Sequence, residues 1–215
     1  MSRKKTKNSV GKDRVTEIEA EAVEALRRGE VAVFPTETFY GLGADALDGT
    51  AVERVVSLKG RSPENPIAVI IADPNMLKSL VDEIPSLALR LMDRFWPGPL
   101  TLVFRAKKGL PEPLLNREGG IGVRISSHPI AVRLTHGLGK PLTATSANPS
   151  GKEPACTLDE AKSYFSGRIR LFVDGGRLTG TKGSTVADIT GGRLKIIREG
   201  AIDSTELQKA LGRIG

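Results

Sequence analysis

The 215-residue chain has few of the residues that mark disulfide-rich, secreted or membrane proteins. Its one cysteine, Cys156, cannot form an internal disulfide, which is typical of a reducing compartment. No apolar run approaches the roughly 20 residues of a membrane-spanning helix, and the basic N-terminus lacks the apolar segment of a secretory signal. We therefore expect a cytoplasmic globular protein with no membrane segment.

Motifs for metal and nucleophile chemistry are also absent. The sequence contains neither a Gly-x4-Gly-Lys-Ser/Thr phosphate loop nor paired cysteines at zinc-finger spacing. The two histidines, His128 and His136, fall at the start of a predicted helix and inside it, where cap or surface roles are more common than catalysis. Cys156 has no histidine near it in sequence. We expect no metal site made by protein side chains and no cysteine or histidine nucleophile.

Positive charge is concentrated at the N-terminus. The formal net charge is +7, and residues 1–14 carry +5 of it, so the rest of the chain is only slightly basic. We predict a disordered, solubilising tail over residues 1–14 and a single catalytic domain over residues 15–215. A nucleic-acid-binding arm is the alternative interpretation of the tail.

Helical and strand patterns alternate after the tail. Thr-x-x-Glu capping boxes at Thr16, Thr50 and Thr157 predict three helix starts. Further helices are expected near 85–95, 130–138 and 204–211. Strands are expected near 31–34, 66–72, 100–104, 121–125, 142–145, 172–173, 184–189 and 194–197. This order predicts a layered α/β domain with a mixed sheet.

Polar clusters follow several predicted strands, where open α/β sheets place ligands. The first is the segment 35–43 (PTETFYGLG), whose hydroxyls and glycines suit a loop around a small ligand. A plain turn with capping threonines explains the pattern equally well. In a second cluster, Lys59 and Arg61 stand one residue apart before Asn65, so the two cations could meet different oxygens of a polyphosphate. Cations at a helix C-terminus are the alternative.

A third cluster is the segment 145–151 (TSANPSG), whose hydroxyl and amide groups could bind phosphate or ribose, although it also matches ordinary turn chemistry. Arg124 stands inside an apolar strand and needs a counter-charge, which is either a protein carboxylate or a ligand. Ser184 and Arg198, which flank later strands, are further candidates.

Taken together and in this order, these motifs resemble the YrdC/Sua5 family of threonylcarbamoyl-adenylate synthases over about residues 16–202. The resemblance also uses the segments 96–101 (WPGPLT), 122–125 (GVRI), 184–186 (STV) and 197–200 (IREG). It implies an open, twisted mixed sheet flanked by helices, with a positively lined concave face. It also implies a nucleotidyltransferase that makes threonylcarbamoyl-AMP and pyrophosphate from L-threonine, bicarbonate and ATP, for N6-threonylcarbamoyladenosine in tRNA.

Site roles carry over from the family by position. The resemblance implies that threonine is bound by Thr36, Thr38, Arg124 and Ser184. It implies that ATP and the transferring phosphate are bound by Lys59, Arg61, Asn65, Ser146, Asn148 and Arg198, with Lys59 and Arg61 catalytic. Mg²⁺ is expected to arrive with ATP, because it keeps few protein ligands. The implied functional partners are tRNA and the downstream threonylcarbamoyl transferase complex.

The chain departs from the family pattern in two places. It stops soon after the shared domain, so we expect the short, single-domain form. Archaeal-type members carry a histidine where this chain has Ile70 and Ile71, so that threonine contact does not transfer. The alternatives are a double-stranded RNA-binding protein without synthase activity and a paralogue of low activity. A carbamoyl-adenylating domain of hydrogenase maturation does not fit, because it lies in a much larger protein with zinc motifs.

Overall fold

The computed structural model describes residues 9–60 and 65–212, with side chains from residue 17 onward. The helices are α1 (Ser9–Arg27), α2 (Gly49–Lys59), α3 (Ser86–Phe95), α4 (Pro129–Leu138), α5 (Leu158–Phe165) and α6 (Ser204–Ala210). The strands are β1 (Ala32–Pro35), β2 (Tyr40–Gly43), β3 (Val69–Ile70), β4 (Leu100–Arg105), β5 (Gly120–Arg124), β6 (Leu142–Thr143), β7 (Thr145–Ser146), β8 (Leu171–Phe172), β9 (Thr185–Asp188) and β10 (Lys195–Arg198). Short 3-10 helices span Pro74–Ser79 and Glu112–Leu114.

The strands form two open sheets, in the orders β7-β2-β1-β8 and β10-β9-β4-β5-β3-β6. Both sheets are mixed, because β1 is antiparallel to β2 and parallel to β8, while β4 is antiparallel to β5 and parallel to β9. The backbone N–H of Thr143 donates to the carbonyl of Ala44 at 2.9 Å and links the sheets where β2 ends. The predicted mixed α/β class is confirmed, with the expected sheet divided in two.

Strand β1 is covered on both faces, as a short continuous apolar run predicts. Val33 packs into the larger core, which includes residues of α2, α3 and α5. Ala32 and Phe34 point the other way, into a second cluster formed with α1 and α4. Because β1 is fixed from both sides, the polar segment that follows it starts from a rigid strand end.

Helix ends confirm some of the predicted caps and correct others. Thr157 and Glu160 form the predicted capping box of α5, and His128 caps α4 by accepting from the backbone of Ile130. The start predicted at Thr50 is wrong: Asp48 is the N-cap of α2, and its carboxylate accepts from the backbone N–H of Thr50. An aspartate in extended conformation ahead of the helix can reach these N–H groups, which Thr50 itself cannot.

The first helix begins at Ser9, earlier than the capping box at Thr16 predicts. Residues 1–8 lie outside the described part, so the predicted disorder stays a prediction there, whereas residues 9–14 belong to α1 and the tail predicted over 1–14 is corrected at those positions. Helix α1 is attached to α4 by the Glu19–Arg133 ion pair, with a nitrogen–oxygen distance of 2.7 Å. Among residues 9–60 and 65–212, no helix has the length and apolarity needed to cross a bilayer.

Candidate active site

A cavity of about 790 Å³ lies where the two sheets meet, and most of the predicted site residues line it. Its walls come from the segment after β1, from β4 and β5, from the segment around β7, and from the segments beside β9 and β10. The predicted residues that border it are Thr36, Thr38, Asn65, Arg124, Ser146, Ser184 and Arg198. Arg61 lies outside the described residues, so its place in the site stays a prediction.

The two threonines after β1 have different surroundings. Thr36 donates its hydroxyl hydrogen to the carbonyl of Phe39 at 2.7 Å and accepts from the backbone N–H groups of Thr38 and Phe39. The Thr36 and Thr38 hydroxyls are 3.0 Å apart, and because Thr36 has already given its hydrogen, Thr38 is the donor between them. The Thr36 hydroxyl thus holds the turn, whereas the lone pairs of Thr38 are left for a ligand in the cavity.

Arg124, at the end of β5, forms an ion pair with Glu37. The side chains are 7% and 13% exposed, so the protein carboxylate that the sequence left as one alternative is present. Burial lowers the pKa of Arg124 to about 10, with a smaller effect from the positive charge of Arg198. A pKa of about 10 still leaves the guanidinium charged at neutral pH.

Ser184 and Arg198 lie together beside the cavity. Arg198 Nη2 donates to the carbonyl oxygen of Ser184 at 2.9 Å and approaches its hydroxyl at 3.4 Å. Thr101 Oγ1 lies 2.9 Å from Ser184 Oγ and also borders the cavity. Burial lowers the pKa of Arg198. Two guanidinium groups in one partly desolvated cavity make a strong electrostatic field for an anion.

Lys59 is buried, at 4% exposure, and does not border the cavity directly. Its ammonium donates to the carbonyl oxygen of Ser146 at 2.6 Å, to Ser146 Oγ at 3.1 Å and to Asn148 Oδ1 at 2.9 Å. The Asn148 amide in turn donates to the carbonyl oxygens of Pro149 and Lys152. The structure therefore brings Lys59, Ser146 and Asn148 together, with Ser146 nearest to the cavity.

A glycine-rich segment, residues 174–184, covers the threonine turn; we call it the strap. Tyr40 anchors it, since its hydroxyl accepts from the N–H of Gly175 at 2.9 Å and donates to the carbonyl of Gly176 at 2.8 Å. Desolvation raises the pKa of Tyr40 to about 12, with Asp174 adding to the effect. Gly180 sits so close to Thr38 that a β-carbon there would overlap the Thr38 carbonyl.

Several cavity residues were missed by reasoning from the sequence. Thr101 lies in the motif 96–101 (WPGPLT). It could have been recognised as a candidate site residue because it is a polar residue inside an apolar strand. Lys182 and Glu199 also border the cavity, as does Asn116, whose side-chain oxygen accepts from the backbone of Glu118 and Gly120. Their loops carry no strong pattern in the sequence. Among the described residues, no group of three or more metal-binding side chains is found.

The fold and cavity define an open α/β domain with a cavity lined by hydroxyl and guanidinium groups. A family model named Sua5/YciO/YrdC, described as telomere recombination, matches residues 24–200. The chain belongs to this family, as the sequence motifs indicated.

Two known proteins of similar sequence carry the same activity in their names. A threonylcarbamoyl-AMP synthase of Pyrococcus abyssi is 39% identical over 189 residues, which are 88% of this chain and 56% of that protein. A threonylcarbamoyl-AMP synthase of Pseudoalteromonas translucida is 37% identical over 81% of this chain and 95% of its own length. The crystal structure of P. abyssi Sua5 complexed with L-threonine superimposes with a TM-score of 0.88 at 38% identity, covering 93% of this chain and 58% of that one. This chain thus spans little more than half of the archaeal relative.

Proposed function

We propose that this protein is a threonylcarbamoyl-AMP synthase, a nucleotidyltransferase that uses L-threonine, bicarbonate and ATP. The observation that carries the proposal is that one cavity is lined by all of Thr38, Asn65, Arg124, Ser146, Ser184 and Arg198. Two relatives named for this activity and a related structure with L-threonine bound support it.

The amino acid would occupy the side of the cavity near β1 and β5. Arg124 would bind the carboxylate of threonine, because a guanidinium is matched to a carboxylate in charge and geometry. Thr38 would accept a hydrogen bond from the substrate through its free lone pairs. Ser184, held by Thr101 and Arg198, would contact the same molecule from the opposite wall.

ATP would occupy the side near β7 and β10. Ser146 and Asn65 would contact the triphosphate together with Arg198, and we keep Arg61 as a phosphate ligand on the family resemblance alone. Lys59 and Asn148 would act chiefly by holding the segment that carries Ser146. We propose that Mg²⁺ enters with ATP, bound mainly by phosphate oxygens and water.

The reaction has two steps in this proposal. The threonine amine attacks CO2, derived from bicarbonate, and loses a proton to give a carbamate. A carbamate oxygen then attacks the α-phosphorus of ATP while the bond to the bridging oxygen of pyrophosphate breaks. Fixed cations and donors that position two anions and balance the charge of the transition state suffice for this chemistry. The product would be passed on in the cytoplasm to a complex that transfers the threonylcarbamoyl group to tRNA.

Pyrophosphate release that depends on both threonine and bicarbonate tests the proposal. We expect release with purified protein, Mg·ATP, threonine and bicarbonate, and much less when threonine is omitted or replaced by serine. Mass spectrometry of the mixture should show threonylcarbamoyl-AMP. No release with all substrates present, together with RNA binding that weakens steeply with salt, would instead identify an RNA-binding protein without synthase activity.

A further inference from the structure

The guanidinium of Arg124 has a protein carboxylate behind it and the cavity in front of it. We propose that Glu37 is a positioning residue which, together with Ser126, sets how far Arg124 reaches into the cavity and thereby sets the preference for a substrate carboxylate. The inference rests on the proposed function, in which Arg124 binds the carboxylate of threonine.

The contacts of Arg124 divide its guanidinium into two sides. Nη1 is fully buried against Glu37 Oε1. The other guanidinium nitrogens donate to no described residue, and Arg124 borders the cavity whereas Glu37 does not. One side of the group is therefore fixed by the protein, and the other is available to a carboxylate in the cavity.

Glu37 is itself held at both oxygens. Ser126, which is fully buried, donates its hydroxyl to Glu37 Oε2 and accepts the backbone N–H of His128 at 3.1 Å. His128 is the N-cap of α4, so the chain of contacts ends on a rigid helix. A carboxylate held between Ser126 and Arg124 has little freedom to rotate, and its length then decides where the guanidinium lies.

Charge and length are separable contributions of Glu37. Its negative charge offsets that of Arg124, a buried cation that also lies within the electrostatic influence of Arg198. The length of its side chain spans the gap between the turn after β1 and the end of β5. Glu37→Asp keeps the charge and shortens the side chain by one methylene, whereas Glu37→Gln keeps the length and removes the charge.

Calorimetric affinities for L-threonine and L-threoninamide measure the effect on carboxylate recognition. Threoninamide lacks the carboxylate, so the ratio of the two affinities isolates the contribution of Arg124. We expect Glu37→Asp to reduce the ratio by about tenfold or more, since a charge-assisted hydrogen bond is lost or misaligned. We expect Glu37→Gln to reduce it by less than about threefold. A merely structural role would weaken both ligands equally and leave the ratio unchanged.

Controls keep the outcomes distinct. Glu24→Gln, at an exposed carboxylate paired with Arg27, should behave as the wild type. Ser126→Ala should lower the ratio of the threonine and threoninamide affinities, as Glu37→Asp does. This variant tests the inference if Glu37→Asp does not fold. An unchanged ratio in Glu37→Asp, or a larger loss in Glu37→Gln, overturns the inference while leaving the proposed function intact. If the wild type does not bind L-threonine more tightly than L-threoninamide, both the inference and the proposed function are overturned.

Discussion

Replacement of Lys59 tests whether a buried cation outside the cavity wall controls the reaction. In Lys59→Met the aliphatic part of the side chain stays while the ammonium is lost, so the Ser146 carbonyl and Asn148 Oδ1 lose their donor. Hydrogen bonds to charged groups are worth about 1.5–3 kcal/mol each, and the contacts share one ammonium, so we expect a loss of about 3 kcal/mol in the free energy of unfolding. The segment that carries Ser146 should shift as well.

The activity loss should exceed what unfolding explains. A displacement of about 1 Å in a positioning group costs about a hundredfold in rate, so we expect pyrophosphate release by Lys59→Met to fall by about that factor under conditions where circular dichroism shows it folded. Lys107→Met is the matched control, because Lys107 also donates to a backbone carbonyl, that of Lys78 at 2.7 Å, but on the exposed surface. The control should lose less than about 1 kcal/mol and keep full activity. Near-normal turnover by Lys59→Met, or a stability loss no greater than that of the control, would refute the reasoning.

Three further predictions concern the threonine turn and the strap. Thr38→Val should weaken threonine binding by about tenfold with little loss of stability, whereas Thr36→Val should mainly lower the melting temperature; equal effects would contradict the assigned hydrogen bonds. Gly180→Ala should raise the KM for threonine because its β-carbon meets Thr38, while Gly191→Ala, in open space, should not; equal kinetics would show that the strap is not packed on the turn. Since the pKa of Tyr40 is raised from 10.0 to about 12, its contribution to stability is complete below pH 10 and lost as the pH rises through 12. The free energy of unfolding, measured in urea, should therefore fall more steeply between pH 10 and pH 12 for the wild type than for Tyr40→Phe. Parallel decreases in the two proteins would be evidence against a buried, neutral Tyr40.

Local structure was predictable where short-range chemistry decides it. The capping box at Thr157 and the cap at His128 follow from side chains that reach N–H groups two or three residues further along the chain. The helix start predicted at Thr50 is wrong because Asp48, an equally good N-cap residue, lies two residues earlier and caps α2. The apolar run predicted as a strand over 66–72 contains only Val69–Ile70 as paired strand, because pairing depends on where its neighbours β5 and β6 lie.

The sequence by itself determined the family, the α/β class and most of the residue types at the site, because motif order and hydrophobic period are properties of the chain alone. Tertiary structure decided which of those residues act together. Lys59 meets Ser146 across 87 positions, and Ser126 meets Glu37 across 89. No local pattern predicts contacts at such separations, since strand order and sheet register bring them together. The same reason explains why Arg124, left between a protein and a ligand counter-charge, proves to have the protein carboxylate on one side and the cavity on the other.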